Sequence, residues 1–332
     1  MPDNYGYINA RLKAMHAKFL SGKIDEALQA NSYNEFLRIL SETDMGADLG
    51  DATVQGAGLI ELDRAVSRNF YNTAQKVVGM ADGESGKDIG LLFARYDLTN
   101  LKAIARGKTS SRPQTEIEAS LLPAGTLKPA VLSQLAAAPD LSSLAGVVGL
   151  AGSPLASAFR KASAQLAADA DLLAFEVALD QAYYGEAVAQ ASSSVLKNYL
   201  RREIDGANIL TAMKLRAQGR TDNLDTYFVR GGREVDATRF SQIASGVGGL
   251  EGLAAFSSVA DAPNLGAAEA AVRTVILKDA KKLFAADALG IGVTIGFLKE
   301  KENEVALTRL IARGKYYNVP AEALRNEVGR GA

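Results

Sequence analysis

Gly90-Leu91-Leu92-Phe93-Ala94-Arg95-Tyr96-Asp97-Leu98-Thr99-Asn100-Leu101-Lys102-Ala103-Ile104-Ala105-Arg106-Gly107-Lys108 is written again, with substitutions, as Asp205-Gly206-Ala207-Asn208-Ile209-Leu210-Thr211-Ala212-Met213-Lys214 and as Glu304-Val305-Ala306-Leu307-Thr308-Arg309-Leu310-Ile311-Ala312-Arg313-Gly314-Lys315. The acids that anchor the copies stand 108 residues apart (205 − 97) and then 99 apart (304 − 205), close to a third of the 332-residue chain. A period that long implies three small domains and not a thin solenoid. Leu91, Ala94, Leu98, Leu101 and Ala105 recur at a 3-4-3-4 spacing, the apolar stripe of a helix packed on neighbours.

The repeat extends upstream. An acid, an apolar pair seven residues on and an alanine four beyond that pair's first member recur as Asp63/Phe70-Tyr71/Ala74, Glu176/Tyr183-Tyr184/Ala187 and Glu269/Ile276-Leu277/Ala280. Offsets of seven and eleven return to nearly the same face of a 3.6-residue helix. Each copy therefore has two helices, and the chain is expected to be all-α. No alternating run is long enough to demand a sheet.

The breaks between helical stretches fall where repeats should join. Lys108-Thr109-Ser110-Ser111-Arg112-Pro113 and Leu122-Pro123-Ala124-Gly125-Thr126-Leu127 follow the first motif; Gly219-Arg220-Thr221-Asp222-Asn223 and Phe228-Val229-Arg230-Gly231-Gly232-Arg233 follow the second. Phe19-Leu20-Ser21-Gly22-Lys23-Ile24 is a shorter equivalent near the start. The chain thus begins partway through a unit and ends after the same kind of helix, which predicts a closed threefold arrangement with domains at residues 1–112, 113–222 and 223–332. Covalently joined copies make a homotrimer redundant, so a monomer is expected.

Composition narrows the function. With 48% hydrophobic residues the chain can bury several cores. Thirty-seven basic residues nearly cancel 38 acidic ones, and nothing global points to nucleic acid. There is no cysteine, so thiolate metal sites, disulfides and a thiol nucleophile are excluded. The opening Met1-Pro2-Asp3-Asn4-Tyr5-Gly6 has neither a basic nor an apolar leader segment, and no export is expected. Leu283 to Leu298 is too short for a membrane span and carries Asp287; it reads as a buried helix or a glycine-broken helical connection.

Catalytic and cofactor motifs fail one by one. Gly107-Lys108-Thr109 has the ending of a phosphate-binding loop, but Lys102 stands where its first glycine belongs and a helix precedes it. Ser85-Gly86-Lys87-Asp88 lacks the hydroxyl residue, and Gly246-Val247-Gly248-Gly249-Leu250-Glu251 displaces the last glycine of GxGxxG. His16 is the only histidine and has no acid a helical turn away. No catalytic, cofactor or metal residue is assigned, and no direct nucleotide binding is expected. The pairs Phe70-Tyr71 and Tyr183-Tyr184 read as core, and Asp97, Asp205 and Glu304 as structural acids.

Basic residues close each repeated helix: Arg106 and Lys108, Lys214 and Arg216 with Arg220, and Arg309, Arg313 and Lys315. One reading is dipole compensation at helix C-termini capped by Gly107, Gly219 and Gly314. The other is a ring of partner-binding cations, for which the candidates are Arg106, Lys108, Lys214, Arg216, Arg313 and Lys315.

Tyr7-Ile8-Asn9-Ala10-Arg11-Leu12-Lys13-Ala14-Met15, the Asp97 to Lys102 motif and the run from Glu302 to Lys315 together resemble the C subunit of prokaryotic V/A-type rotary ATPases, called the d subunit in eukaryotes. The resemblance covers essentially the whole chain. It implies a funnel of three helical domains about a pseudo-threefold axis, acting as a noncatalytic rotor part of a proton- or sodium-coupled ATPase or synthase. It further implies a seat on the proteolipid ring at the cytoplasmic side of the membrane, contact with the central shaft formed by the D and F subunits, and one copy per motor. Leu307-Thr308 replaces Asn100-Leu101 in the third copy, so a polar role for that asparagine does not extend there. A helical-repeat scaffold or adaptor of an unrelated pathway fits the composition as well.

Overall fold

The computed structural model describes residues 4–54 and 58–331. Every regular element among them is helical. In chain order these are α1 (Tyr5–His16), α2 (Ile24–Gln29), α3 (Tyr33–Ser41), α4 (Leu59–Met80), α5 (Gly83–Thr109), α6 (Gln114–Ala119), α7 (Pro129–Ala137) and α8 (Leu141–Leu150). They continue as α9 (Ala156–Asp169), α10 (Leu172–Gln190), α11 (Ser194–Ala217), α12 (Ala237–Ser245), α13 (Ser257–Ala260), α14 (Leu265–Ala286), α15 (Gly292–Tyr316) and α16 (Ala321–Gly331). The all-α reading holds, and each copy of the repeat supplies a pair of long helices: α4 and α5, α10 and α11, α14 and α15.

Contacts gather the chain into two compact units. One takes residues up to Ile89, Ala119–Ala124 and everything from Ala280; the other takes Gly90–Glu118 and Gly125–Asp279. In the first, α15 packs against α1, α3, α4 and α16, with Ile8, Leu12, Phe36, Phe70 and Phe297 fully buried. In the second, α11 packs on α10 and α12, and α9 lies between α8 and α10, around Phe159, Phe175, Leu179 and Ile209. Many helices start on a side chain that accepts an otherwise orphaned backbone N–H: Ser32 from Glu35, Asp140 from Ser143, Asp171 from Ala174 and Asp236 from Arg239.

The repeated acids do the same work at long range. Asp97 is fully buried; one of its oxygens accepts the Thr126 N–H at 3.1 Å and the other the Leu127 N–H at 3.0 Å. Asp205 Oδ1 accepts from Arg233, Glu234 and Val235 at 2.9, 3.1 and 3.0 Å. Glu304 Oε1 accepts the Leu20 N–H at 2.5 Å. Each acid thus gathers the backbone of a loop, about thirty residues downstream in the first two copies and at the chain's own beginning in the third. The equivalence of the Phe19–Ile24 segment with the later loops is therefore physical: it supplies the cap that the third copy lacks after its helix.

Close approach of the carboxylates explains the glycines in those loops. A Cβ on Gly125 would lie 2.0 Å from Asp97 Oδ1, and one on Gly232 would lie 2.3 Å from Asp205 Oδ1. In the third copy Glu304, one methylene longer, reaches its donor without such a glycine. Asn208 adds a second clamp, exchanging hydrogen bonds with both Val229 N and Val229 O at 2.9 and 2.8 Å, which Leu307 has no polar atoms to copy.

The helix C-termini correct one expectation. Gly107 and Gly314 lie inside α5 and α15. The left-handed capping residues are Ser111, Gly219 and Asn318, with matching bonds Arg112 N to Gly107 O, Arg220 N to Leu215 O and Val319 N to Gly314 O. Gly107 and Gly314 instead admit the next helix, since a Cβ would stand 2.5 Å from Ile117 and 2.2 Å from Leu324. Leu283 to Leu298 is a glycine-broken connection: α14 stops at Ala286, Asp287 Oδ2 accepts the Gly292 N–H at 2.7 Å, and α15 begins.

Two tests follow from the caps. Gly125→Ala and Gly232→Ala should each lower stability in urea unfolding by about 1–3 kcal/mol, the usual cost of overpacking. Gly185→Ala, in α10 with nothing within 4 Å, should be neutral or stabilising by about 0.5–1 kcal/mol. Equal losses at all three would detach the effect from the carboxylates.

The second test uses pH. Burial, with Asp44 nearby, pushes the Glu304 carboxyl from its ordinary 4.5 up to about 7 against the opposing pull of Lys301. A raised carboxyl pKa means that the folded state binds the proton more tightly, so stability falls as pH rises from about 4.5 through about 7. Glu304→Gln keeps an oxygen for Leu20 N–H and should flatten that limb of the stability profile. An unchanged slope would show that Glu304 stays ionised throughout.

Candidate functional site

The six candidate cations are not equivalent. Arg106 on α5 holds Glu176 on α10 with two contacts, Nη2 to Oε2 at 2.8 Å and a shorter one from Nε. Lys214 on α11 stands 3.4 Å from Glu269 on α14, and Arg313 on α15 lies 2.9 Å from Asp63 on α4. Lys108 donates to the Ala136 carbonyl, and Lys315, buried, to the Leu28 carbonyl at 2.7 Å. Arg216 is exposed and lies along Gly246.

The carboxylates in these pairs are the acids of the upstream repeat element, so each acid pairs with the cation of the preceding copy. Glu176 of the second copy meets Arg106 of the first, Glu269 of the third meets Lys214 of the second, and Asp63 of the first meets Arg313 of the third. Both halves of the motif were visible in the sequence; their pairing was not, because the partners lie far apart along the chain. Burial works to raise the Glu176 carboxyl, but Arg106 and Lys102 outweigh it and hold the group below the ordinary carboxylate range.

One helical turn further the three junctions diverge. Four residues after the acids stand Ser67, Asp180 and Arg273; five residues after Asp97, Asp205 and Glu304 stand Lys102, Leu210 and Arg309. Lys102 Nζ grips both oxygens of Asp180 at 2.8 and 2.7 Å. Arg309 bonds Ser67 at 3.0 Å and stands 3.3 Å from Asp63. At the remaining junction the positions hold Leu210 and Arg273, and Arg273 has no ion pair among the described residues.

Within the second unit α5, α10, α11 and α14 line an open cavity of about 720 Å³. Arg95, Lys102, Arg106, Lys214 and Arg273 line it together with Glu176, Asp180 and Glu269. Phe70, Tyr183 and Tyr184 are buried as expected, Tyr71 is only half-buried, and Tyr184 also contributes to the cavity wall. The cavity offers charge and hydrogen-bond donors.

The discarded motifs are accounted for by the fold. Gly107-Lys108-Thr109 and Ser85-Gly86-Lys87-Asp88 are both inside α5 and form no loop to cradle a phosphate. His16 does have an acid, Glu300 of α15, 3.1 Å from Nε2, and it packs on Phe19 and Phe284. Among the described residues there is no group of three or more His, Cys, Asp or Glu able to hold a metal ion, and no helix is long and apolar enough to cross a membrane.

Comparison with known proteins gives one consistent answer. The sequence profile of the ATP synthase (C/AC39) subunit family matches residues 8–327. The V-type ATP synthase C subunit of Deinococcus radiodurans is 43% identical over 99% of this chain and 92% of its own length. The protein of that name from Thermus thermophilus is 36% identical over 99% of both chains. The A-type ATP synthase C subunit of Methanocaldococcus jannaschii is 24% identical over 97% of this chain and 85% of its own.

A charge exchange tests whether the pairs hold the copies together. Arg106→Glu sets a carboxylate against buried Glu176 and should cost about 1–3 kcal/mol in chemical unfolding, a value discounted for the half-exposed arginine. Adding Glu176→Arg should recover most of the loss, while Arg216→Glu should change stability by less than about 0.5 kcal/mol, as exposed sites do. A double variant as unstable as the single one would mean that the pair is incidental.

Proposed function

The chain belongs to the ATP synthase (C/AC39) subunit family, and on that premise we propose that it is a noncatalytic rotor part. It acts as a socket that joins the central shaft, formed by the D and F subunits, to the membrane proteolipid ring. It passes torque between them during ATP-coupled transport of protons or sodium ions. Its place is peripheral, on the cytoplasmic side of the membrane.

The observation that carries this reading is the repetition of one junction three times, with each copy's acid on the preceding copy's cation and the third returning to the first. Pairing of that order supports three domains, near residues 1–112, 113–222 and 223–332, closed about a pseudo-threefold axis as a funnel. A torque-bearing part needs stiffness and two binding faces. Packed helix pairs tied by partly buried ion pairs meet the first need, and full-length similarity to the V-type relatives sets aside an adaptor of an unrelated pathway.

The six cations enter unequally. Lys315 and Lys108 are engaged with backbone carbonyls, so partner contact falls mainly to Arg106, Lys214, Arg216 and Arg313, which keep exposed surface. Such contacts are individually modest and sensitive to salt.

The decisive experiment mixes the purified chain with the D–F shaft and with detergent-solubilised proteolipid ring and reads the products by native mass spectrometry. One copy should bind each partner and bridge both, and the free chain should be a monomer that shows no heat of ATP binding. A stable homotrimer, or failure to bind either partner at low salt, would refute the socket.

A further inference from the structure

The cavity of the second unit contains an unfinished electrostatic pattern. Three of its cations are consumed: Arg95 by Glu203, Lys102 by Asp180 and Arg106 by Glu176, carboxylates that are all buried. The junction between the second and third copies is looser. Lys214 and Glu269 are 3.4 Å apart, with side chains 26% and 48% exposed. One turn along α14, Arg273 occupies the position that Asp180 holds at the neighbouring junction, and Leu210 occupies the position of Lys102. The exchange of a lysine–aspartate pair for a leucine and an arginine leaves a cation directed to the cavity with no acid to meet it.

We propose that this cavity receives an acidic segment of a protein partner, whose carboxylates bind Lys214 and Arg273, and that Glu269 is a built-in place-holder which the incoming acid displaces. The proposal rests on the socket reading and adds to it the location and chemistry of one contact. An acidic helix or loop fits better than a compact polyanion. Its charges are spaced, as the cations are, whereas a small polyphosphate would crowd against Glu176 and Asp180. Leu98, Val177 and Leu210 in the same wall offer apolar surface to the body of such a segment.

Displacement is favoured where the internal pair is weak. An exposed ion pair contributes little in water, so exchanging Glu269 for a partner carboxylate costs little at Lys214. Arg273, unpaired beforehand, then gains an ion pair outright. Glu269 also lies within electrostatic reach of Arg106, and Lys214 within reach of Glu176, so an acid seated here meets a connected field of cations. Arg273 thereby becomes a specificity-determining residue that the repeat alone does not single out.

The test measures binding of a fluorescent glutamate-rich helical peptide to the full chain by anisotropy at low salt, with its glutamine-substituted counterpart and inorganic tripolyphosphate as competitors. Glu269→Gln, which removes the place-holder, should tighten peptide binding about 5-fold, and Arg273→Gln should weaken it about 5-fold and flatten its salt dependence, as for a single charge contact. Glu186→Gln, an exposed carboxylate outside the cavity, should do nothing. Weaker or unchanged binding in Glu269→Gln, or displacement by tripolyphosphate in preference to peptide, would overturn the assignment. Repeating the series with the purified D–F shaft separates the two readings. If the shaft binds wild type and all variants alike, the cavity assignment falls and the socket stands; if it ignores the wild type while the peptide responds as described, the socket falls and the cavity stands.

Discussion

A buried carboxylate that accepts the backbone of a distant loop is the constraint from which the rest of this fold follows. Asp97, Asp205 and Glu304 each sit on a long helix with little or no exposure, and burying a charge is costly unless donors surround it. Main-chain N–H groups are among the donors in all three copies, and supplying them fixes where each loop lies and, in the first two copies, which residue in it must be glycine. The third copy takes its donor from Leu20, so the start of the chain is structurally part of its last repeat. Lys301 joins that junction from inside the same helix, with its ammonium between Glu304 and Asp44 and over the Phe19 ring.

On this base a second set of charges works between copies. Internal caps make each repeat, and acid–cation pairs on the neighbouring long helices tie one repeat to the next. The two sets differ in burial, and that difference sorts their roles. Asp97 and Asp205 are sealed, with burial raising their carboxyl groups against the pull of the backbone donors. Arg106, Lys214 and Arg313 serve the junctions and keep a wet side.

Much of this was legible in the sequence because the repeat states it three times. The helix pairs and the Phe19–Ile24 equivalence follow from register and turn chemistry, while the run after Leu283 was open between a buried helix and a glycine-broken connection until the turn at Asp287 decided it. What escaped was pairing. No spacing rule joins Asp63 to Arg313 or His16 to Glu300, since such contacts are set by how helices cross. The glycines misled for a related reason: Gly107 and Gly314 look like terminators near helix ends, yet Ser111 and Asn318 carry the left-handed turn, and the glycines serve packing that only Ile117 and Leu324 reveal. Arg273 was invisible because it matters as a departure from Asp180, and the departure has meaning only once Lys102 is seen to grip Asp180.

A rotor part, as proposed for this chain, turns with the shaft. Because the sequence has no cysteine, a single one introduced at exposed Arg216 can be joined selectively to a cysteine placed on the shaft in the assembled complex. The measurement is ATP hydrolysis together with ion pumping before and after that bond forms. A rotor part predicts that both continue at nearly their original rates, since the linked pieces never move relative to each other. Arrest on cross-linking, reversed by reduction, would place the chain outside the rotor.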